Sequence, residues 1–306
     1  MKASHKDYNV GMSSSSRSIY RNLEGEKQVL ELYQRALGGL KIKFEERMIS
    51  TRHGNTHTLI TGSTESPPLI IFQGGNTINP VTLSWFLPLL KEYRVFAPDT
   101  IGHPGKSEQN RISPSDDSFG EWAVDLLDNL GLEKSSFIGP SYGAGIILRL
   151  AAYAPERISS AVLLMPSGIA SGPLLPMLIQ VVLPMFLYRF FPNHRRLTNA
   201  VRPLFTKEMD EIDVDVIGAV YEHVNLETKM PRHASQKELM NFIAPTLIFA
   251  GEEDIFFPAK IILPRAKEII NNLISVESIK GCRHFPSKEI LYNINNRIRI
   301  FLSENR

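Results

Sequence analysis

FIGPSYGAG, residues Phe137–Gly145, decides how the chain is read. Two apolar residues run into glycine and proline, then comes one serine, then a helical stretch. Gly139-Pro140-Ser141-Tyr142-Gly143 has the form G-x-S-x-G. At a strand-to-helix junction this pattern makes a sharp turn that holds the serine side chain out over the sheet edge. Glycines two residues to either side keep side chains out of the crowded crossing. The helix that follows points its positive end at Ser141, where negative charge would develop.

Working outward, the chain alternates between short apolar runs and amphipathic stretches. A helix is predicted over Glu24–Leu37, and a hairpin over Phe44–Ser50 and Thr56–Thr61 around His53-Gly54-Asn55. Strands follow at Pro68–Phe72, Tyr93–Ala97, Ser136–Gly139 and Ala161–Met165. Between them helices are expected at Thr82–Leu90, at Ser118–Leu130 with Ser115 as its cap, and at Tyr142–Tyr153. The rhythm breaks over residues 168–240, which hold prolines and no strand-like run. It resumes with Pro245–Ala250, the helical Ala259–Ile270, Leu273–Ile279 and the helical Lys288–Leu302. Such alternation implies an α/β fold, a mostly parallel central sheet with helices on both faces. The expected organisation is a loose arm at 1–18, a core made of 19–167 and 241–306, and a helical cap at 168–240.

A serine hydroxyl needs a base to become a nucleophile, and the base needs an orienting carboxylate. Gly251-Glu252-Glu253-Asp254 supplies acids directly after one strand, and Gly281-Cys282-Arg283-His284-Phe285-Pro286 a histidine after the next. Both loops leave the carboxyl ends of strands, the edge where ligands bind in open parallel sheets.

In these features the sequence resembles the α/β-hydrolase superfamily, over nearly the whole chain from about residue 40. IIFQGGN is similar to its oxyanion loop, YRVFAPDTIGHPGKS to its fourth strand and turn, and HFPSKEILYNINNRIRIFL to its catalytic histidine and closing helix. The order Ser…Asp…His is the superfamily's order. Small bacterial carboxylesterase-like members, with a helical cap where the rhythm breaks, are the most similar. The resemblance implies Ser141 as nucleophile, His284 as general base and then acid, and Asp254 as orienting carboxylate; the adjoining Glu252 and Glu253 read as surface charges, with a one-residue shift of the acid as the alternative. It implies oxyanion donors on the backbone of Gly75 and Tyr142, with Asn76 as the fallback. Two positions depart from the family pattern: Gln73 and Pro140 stand where histidine is frequent.

The expected activity is hydrolysis of a carboxylic ester on a small to medium-sized hydrophobic molecule through an acyl-serine, with no metal or organic cofactor. Serine rather than aspartate at the elbow sets the chain apart from haloalkane dehalogenases and epoxide hydrolases. The rival reading is a catalytically idle hydrolase fold that binds a small molecule or a partner. Of the remaining histidines, His103 alone is a candidate for lining the site. Cys282 is expected to pack in the interior.

Other functions are disfavoured. The formal net charge of +2 offers no basic field for nucleic acid. Gly102–Ser107 ends like a phosphate-binding loop, but the required earlier glycine is Thr100. Gly143-Ala144-Gly145 opens a dinucleotide fingerprint whose third glycine is Leu148. A single cysteine rules out an internal disulfide, and the opening residues lack an apolar export core, so a cytoplasmic enzyme is expected. Homodimer assembly stays open. Residues 172–192, GPLLPMLIQVVLPMFLYRFFP, are apolar enough to suggest a membrane span, yet Pro173, Pro176 and Pro184 interrupt them. Packing against the core, with some side chains lining an acyl pocket, is the expected role. Shallow membrane contact beside His194, Arg195 and Arg196 is the second.

Overall fold

The computed structural model describes residues 18–305. The expected arm lies outside the described residues except for Ser18, whose Oγ donates to Gln109 Oε1 at 2.5 Å. Helix α1 (Leu23–Gly39) starts at Asn22, whose side chain accepts from the Gly25 N–H. Strands β1 (Glu45–Thr51) and β2 (Gly54–Thr61) form the antiparallel hairpin, and β3 (Pro68–Ile71) follows.

The helix expected at Thr82–Leu90 is replaced by α2 (Asn79–Ser84) and a separate 3₁₀ turn at Leu89–Lys91. Pro88 has no N–H to give the Ser84 carbonyl, so the chain tightens into three-residue bonds such as Leu89 N–H to Phe86 O, 2.9 Å.

Strand β4 (Arg94–Pro98) leads to α3 (Ser118–Leu130). Ser115 does not cap α3. Its own N–H donates to Ser113 Oγ, and the Ser118 N–H is taken by Asp116 Oδ1 at 3.0 Å. Then come β5 (Ser135–Pro140), α4 (Tyr142–Tyr153) and β6 (Ile158–Leu164).

Between β6 and the next strand lie α5 (Leu174–Met177), a π turn (Leu178–Val182), α6 (Leu183–Phe190), α7 (His194–Val201) and α8 (Glu211–His223). The prolines do not break this run as expected. Pro176 sits in the first turn, where no N–H is needed. At Pro184 the chain widens by one residue, and Leu183 N–H reaches back five residues to the Leu178 carbonyl. That relieves the clash a proline ring makes with the carbonyl four residues earlier.

The core closes with β7 (Thr246–Gly251), α9 (Ala259–Ile269), β8 (Leu273–Ile279) and α10 (Lys288–Glu304). The eight strands lie in the order β1-β2-β4-β3-β5-β6-β7-β8, parallel from β4 onward. One face packs against α3, α4 and α9 through Phe137, Trp122 and Ile262. The other packs against α1, α2 and α10 through Ile138, Tyr33 and Ile298. Phe137 and Ile138 are adjacent and both fully buried, as a strand covered on two sides requires. A third, smaller core ties the inserted helices to the loops after β7 and β8 through Val181, Met185, Ile255, Phe256 and Phe285.

Candidate active site

Strands β5, β6, β7 and β8 are neighbours and parallel, so their carboxyl ends share one edge. Ser141 follows β5, Asp254 follows β7 and His284 follows β8. Ser141 has φ 52° and ψ −114°, a conformation that costs a non-glycine residue energy. Its backbone is held from both sides. The N–H donates to Leu164 O at 2.8 Å, and the carbonyl accepts from the N–H and Oγ of Ser167 at 3.2 and 3.0 Å.

The flanking glycines are a steric necessity. A Cβ on Gly139 would lie 2.6 Å from Ala144 N, and one on Gly143 2.7 Å from Phe72 O. The elbow therefore presses against the end of β3, from which the Gln73-Gly74-Gly75-Asn76 loop departs.

Asp254 is buried and divides its oxygens between two tasks. Oδ1 accepts from the N–H groups of Phe256 and Phe257 at 2.8 and 3.2 Å, and Oδ2 lies 2.9 Å from His284 Nδ1. The His284 ring packs edge-on against Phe256, with centroids 4.9 Å apart, and near Phe257 and Phe285. Glu252 and Glu253 face outward, toward Ser278 Oγ and Arg283. Asp254 and His284 are thus joined directly. Ser141 stands on the same edge, and among the described residues its hydroxyl makes no hydrogen bond to His284.

Gly75 approaches the elbow closely: a Cβ there would lie 3.0 Å from Tyr142 Cβ. Among the described residues no acceptor takes the N–H of Gly75 or of Tyr142, whereas the Gly74 N–H is bound to Thr82 Oγ1 at 3.1 Å. Asn76 is a tether. Its side chain donates to Glu227 O and accepts from Glu227 N–H at 2.8 and 2.9 Å, clamping this loop to the insertion.

Gln73 is a clamp that the sequence did not disclose. It is buried; its Nε2 donates to Thr77 O and to Pro104 O, and its Oε1 accepts from Thr100 N–H at 3.0 Å. It therefore ties the Gly75 loop to the loop after β4. That second loop is fixed by a buried network also absent from the sequence reading. Asp99 accepts from Tyr33 OH at 2.9 Å and from Lys106 N–H at 2.8 Å, and pairs with His57 Nδ1 at 3.0 Å. His57 Nε2 lies 2.7 Å from Glu46 Oε2. Burial acts to lower the His57 pKa, but the Asp99 and Glu46 carboxylates outweigh it and raise it. Gly105 packs directly on this network, since a Cβ there would lie 2.8 Å from Asp99 Cγ.

His103 is buried against the Tyr142 ring, centroids 4.6 Å apart, and its Nδ1 has no partner among the described residues. Burial, with Arg111 nearby, pushes its pKa down to about 3, so it stays neutral at ordinary pH. Cys282 is buried, and burial raises its thiol to about 12, which keeps it from serving as a nucleophile.

The expected packing of the apolar insertion is only partly met. Val181 and Met185 are buried, but Leu174, Leu175, Leu178, Val182 and Phe186 are exposed. They lie on the outward side of a helical run whose inner side alone meets the core. Among the described residues no helix is long and apolar enough to cross a membrane.

Comparisons with known proteins agree with this architecture. The family described as the alpha/beta hydrolase fold matches residues 67–203. The chain is 26% identical to the uncharacterized carboxylesterase nap of Bacillus subtilis (strain 168), over 95% of this chain and 98% of that one. It is 25% identical to the carboxylesterase YbfK of the same organism, over 92% and 95%. The crystal structure of naproxen esterase (carboxylesterase NP) from Bacillus subtilis superposes with a TM-score of 0.79. It covers 92% of this chain and 99% of that one at 22% identity, and shows the same fold.

Proposed function

We propose that this chain, which is similar to carboxylesterases of the α/β-hydrolase fold, cleaves carboxylic esters through an acyl-serine formed on Ser141. The observation that carries the reading is the buried Asp254–His284 pair, 2.9 Å apart, on the sheet edge where Ser141 stands in its strained turn. The similarity to two carboxylesterases over nearly their full lengths supports it.

In this reading His284 Nε2 takes the Ser141 proton as Oγ attacks the ester carbonyl. Asp254 holds Nδ1–H and stabilises the imidazolium. The N–H groups of Gly75 and Tyr142 receive the oxyanion, each contributing about 3 kcal/mol to the transition state. His284 returns the proton to the departing alcohol. Water, deprotonated by the same imidazole, then attacks the acyl-serine, and the acid leaves with Ser141 restored.

The aromatic surround of His284, formed by Phe256, Phe257 and Phe285, favours a hydrophobic substrate of small to medium size. Residues 168–240 act as the cap over the site.

A fluorophosphonate probe should label the intact protein and leave the Ser141→Ala variant unlabelled. Equal labelling of both, or labelling of neither, identifies an idle fold instead. On p-nitrophenyl esters, kcat/KM should rise from acetate to hexanoate, and a flat profile rejects the hydrophobic substrate.

A further inference from the structure

The helical run Leu174–Phe190 turns a broad apolar surface to the outside. Leu178, Ile179, Leu183, Phe186, Leu187 and Phe190 are each about half exposed or more, Phe190 at 60%. Phe186 and Phe190 pack on each other, with centroids 4.8 Å apart, rather than on the core. In an α-helix, residues four apart drift by about 40° per step. The π turn at Leu178–Val182 spends an extra residue and counters that drift, so the outward residues form a stripe along the run. Contiguous exposed apolar patches on soluble proteins mark contact surfaces.

Charge selects the occupant. From Arg157 through Lys207 the chain contains no Asp or Glu. Arg189, His194, Arg195 and Arg196 are exposed at the end of the apolar run, with Arg196 over the Phe191 ring at 5.4 Å. Among the described residues neither Arg189, Arg195 nor Arg196 pairs with a carboxylate. An apolar helix face edged by unpaired bases and free of acids is the pattern of a helix that lies in a lipid interface. A second copy of this chain would bring the same bases against the same apolar face and offers no acid from this segment.

We propose that Leu174–Phe190 docks the protein shallowly on an anionic lipid bilayer, with Phe186 and Phe190 among the acyl chains and Arg195 and Arg196 among the headgroups. The inner side of the same run packs on Ile255, Phe256 and Phe285, which flank Asp254 and His284. Docking there sets the catalytic edge about one helix diameter, ~10 Å, from the lipid.

The test is sedimentation of the full chain with vesicles of phosphatidylcholine alone or with about 30 mol % phosphatidylglycerol. Binding should favour the anionic vesicles by tenfold or more and weaken as salt rises. The Phe186→Ser/Phe190→Ser variant should lose binding to both. The Arg195→Glu/Arg196→Glu variant should lose the anionic preference. All these side chains are exposed, and unchanged thermal melting verifies that the variants fold. Absence of binding, equal binding to both vesicles, or unaltered binding by either variant overturns the proposal. So does a dimer in light scattering that the Phe186→Ser/Phe190→Ser variant dissolves, because the face then belongs to a second copy.

Discussion

Asp254 meets His284 through a single oxygen. Oδ2 faces Nδ1 at 2.9 Å, while Oδ1 is spent on the N–H groups of Phe256 and Phe257. The carboxylate is thereby fixed to its loop by the backbone, and only the second oxygen remains to orient the imidazole. This arrangement resists rotation of the side chain and sets the tautomer with the proton on Nδ1.

Asp254→Asn tests that division of labour. The amide oxygen can satisfy the Phe256 and Phe257 N–H groups, which turns the NH₂ group toward Nδ1 and forces the wrong tautomer. We expect kcat to fall by about 10³–10⁴ with KM little changed and the fold intact. A loss smaller than tenfold would mean that Asp254 does not orient the base. Glu253→Gln, on the exposed side of the same loop, should leave kcat within about twofold.

Gly143→Ala tests the close crossing beneath Ser141. The added Cβ would meet the Phe72 carbonyl at 2.7 Å and the Gln73 carbonyl at 2.9 Å. Both are backbone atoms with no rotamer to yield, so the elbow or the Gly75 loop must shift. We expect a stability loss of about 2–4 kcal/mol and a kcat reduction of at least about tenfold. A variant with full activity and an unchanged melting temperature would show that the crossing has slack.

Gln73→Leu addresses the loop clamp. Leucine fills most of the volume but leaves Thr77 O, Pro104 O and Thr100 N–H without their partner. Buried groups stripped of a partner cost about 1–3 kcal/mol each at the upper end, with relaxation reducing the sum. We expect a loss of about 2–4 kcal/mol in denaturant unfolding. Because the clamp positions the Gly75 N–H, kcat should fall more than KM rises. Equal effects on both parameters would place Gln73 in substrate binding instead.

The parts of the fold that could be read from sequence are those where local pattern and long-range packing agree. β8 and α4 were predicted at their observed bounds because each is closed by glycine or by the serine turn. The helix expected at Thr82–Leu90 failed where Pro88 withholds one N–H, and Leu174–Phe190 survived its prolines by widening one turn. That Ser141, Asp254 and His284 stand on one sheet edge was legible because each follows a strand of the parallel set. Gln73, Asp99 and His57 were not legible, because their partners are backbone groups or side chains 11 to 66 residues away. The outward face of the insertion was misread for a simpler reason. Apolar composition reports that a surface needs covering, and says nothing of whether the core or something else covers it.

Asp213, in the first turn of α8, makes stability depend on pH. Burial and then the neighbouring Asp210 raise its carboxyl from 3.8 to about 7, with Lys288 opposing. Below pH 3.8 the group is protonated in both states and costs nothing. Between 3.8 and about 7 the unfolded chain ionises while the folded chain holds its proton, so stability falls as pH rises. Above about 7 the full penalty is present, about 1–2 kcal/mol for a side chain that solvent still partly reaches. Asp213→Asn removes the charge and keeps the shape. It should melt a few degrees above the native protein at pH 8, and the two curves should converge as pH approaches 4. The favourable dipole term of an acid in a first helical turn, about 0.5 kcal/mol, opposes the gain and is smaller. A melting difference that stays constant from pH 4 to 8 would show that Asp213 ionises freely in the folded protein.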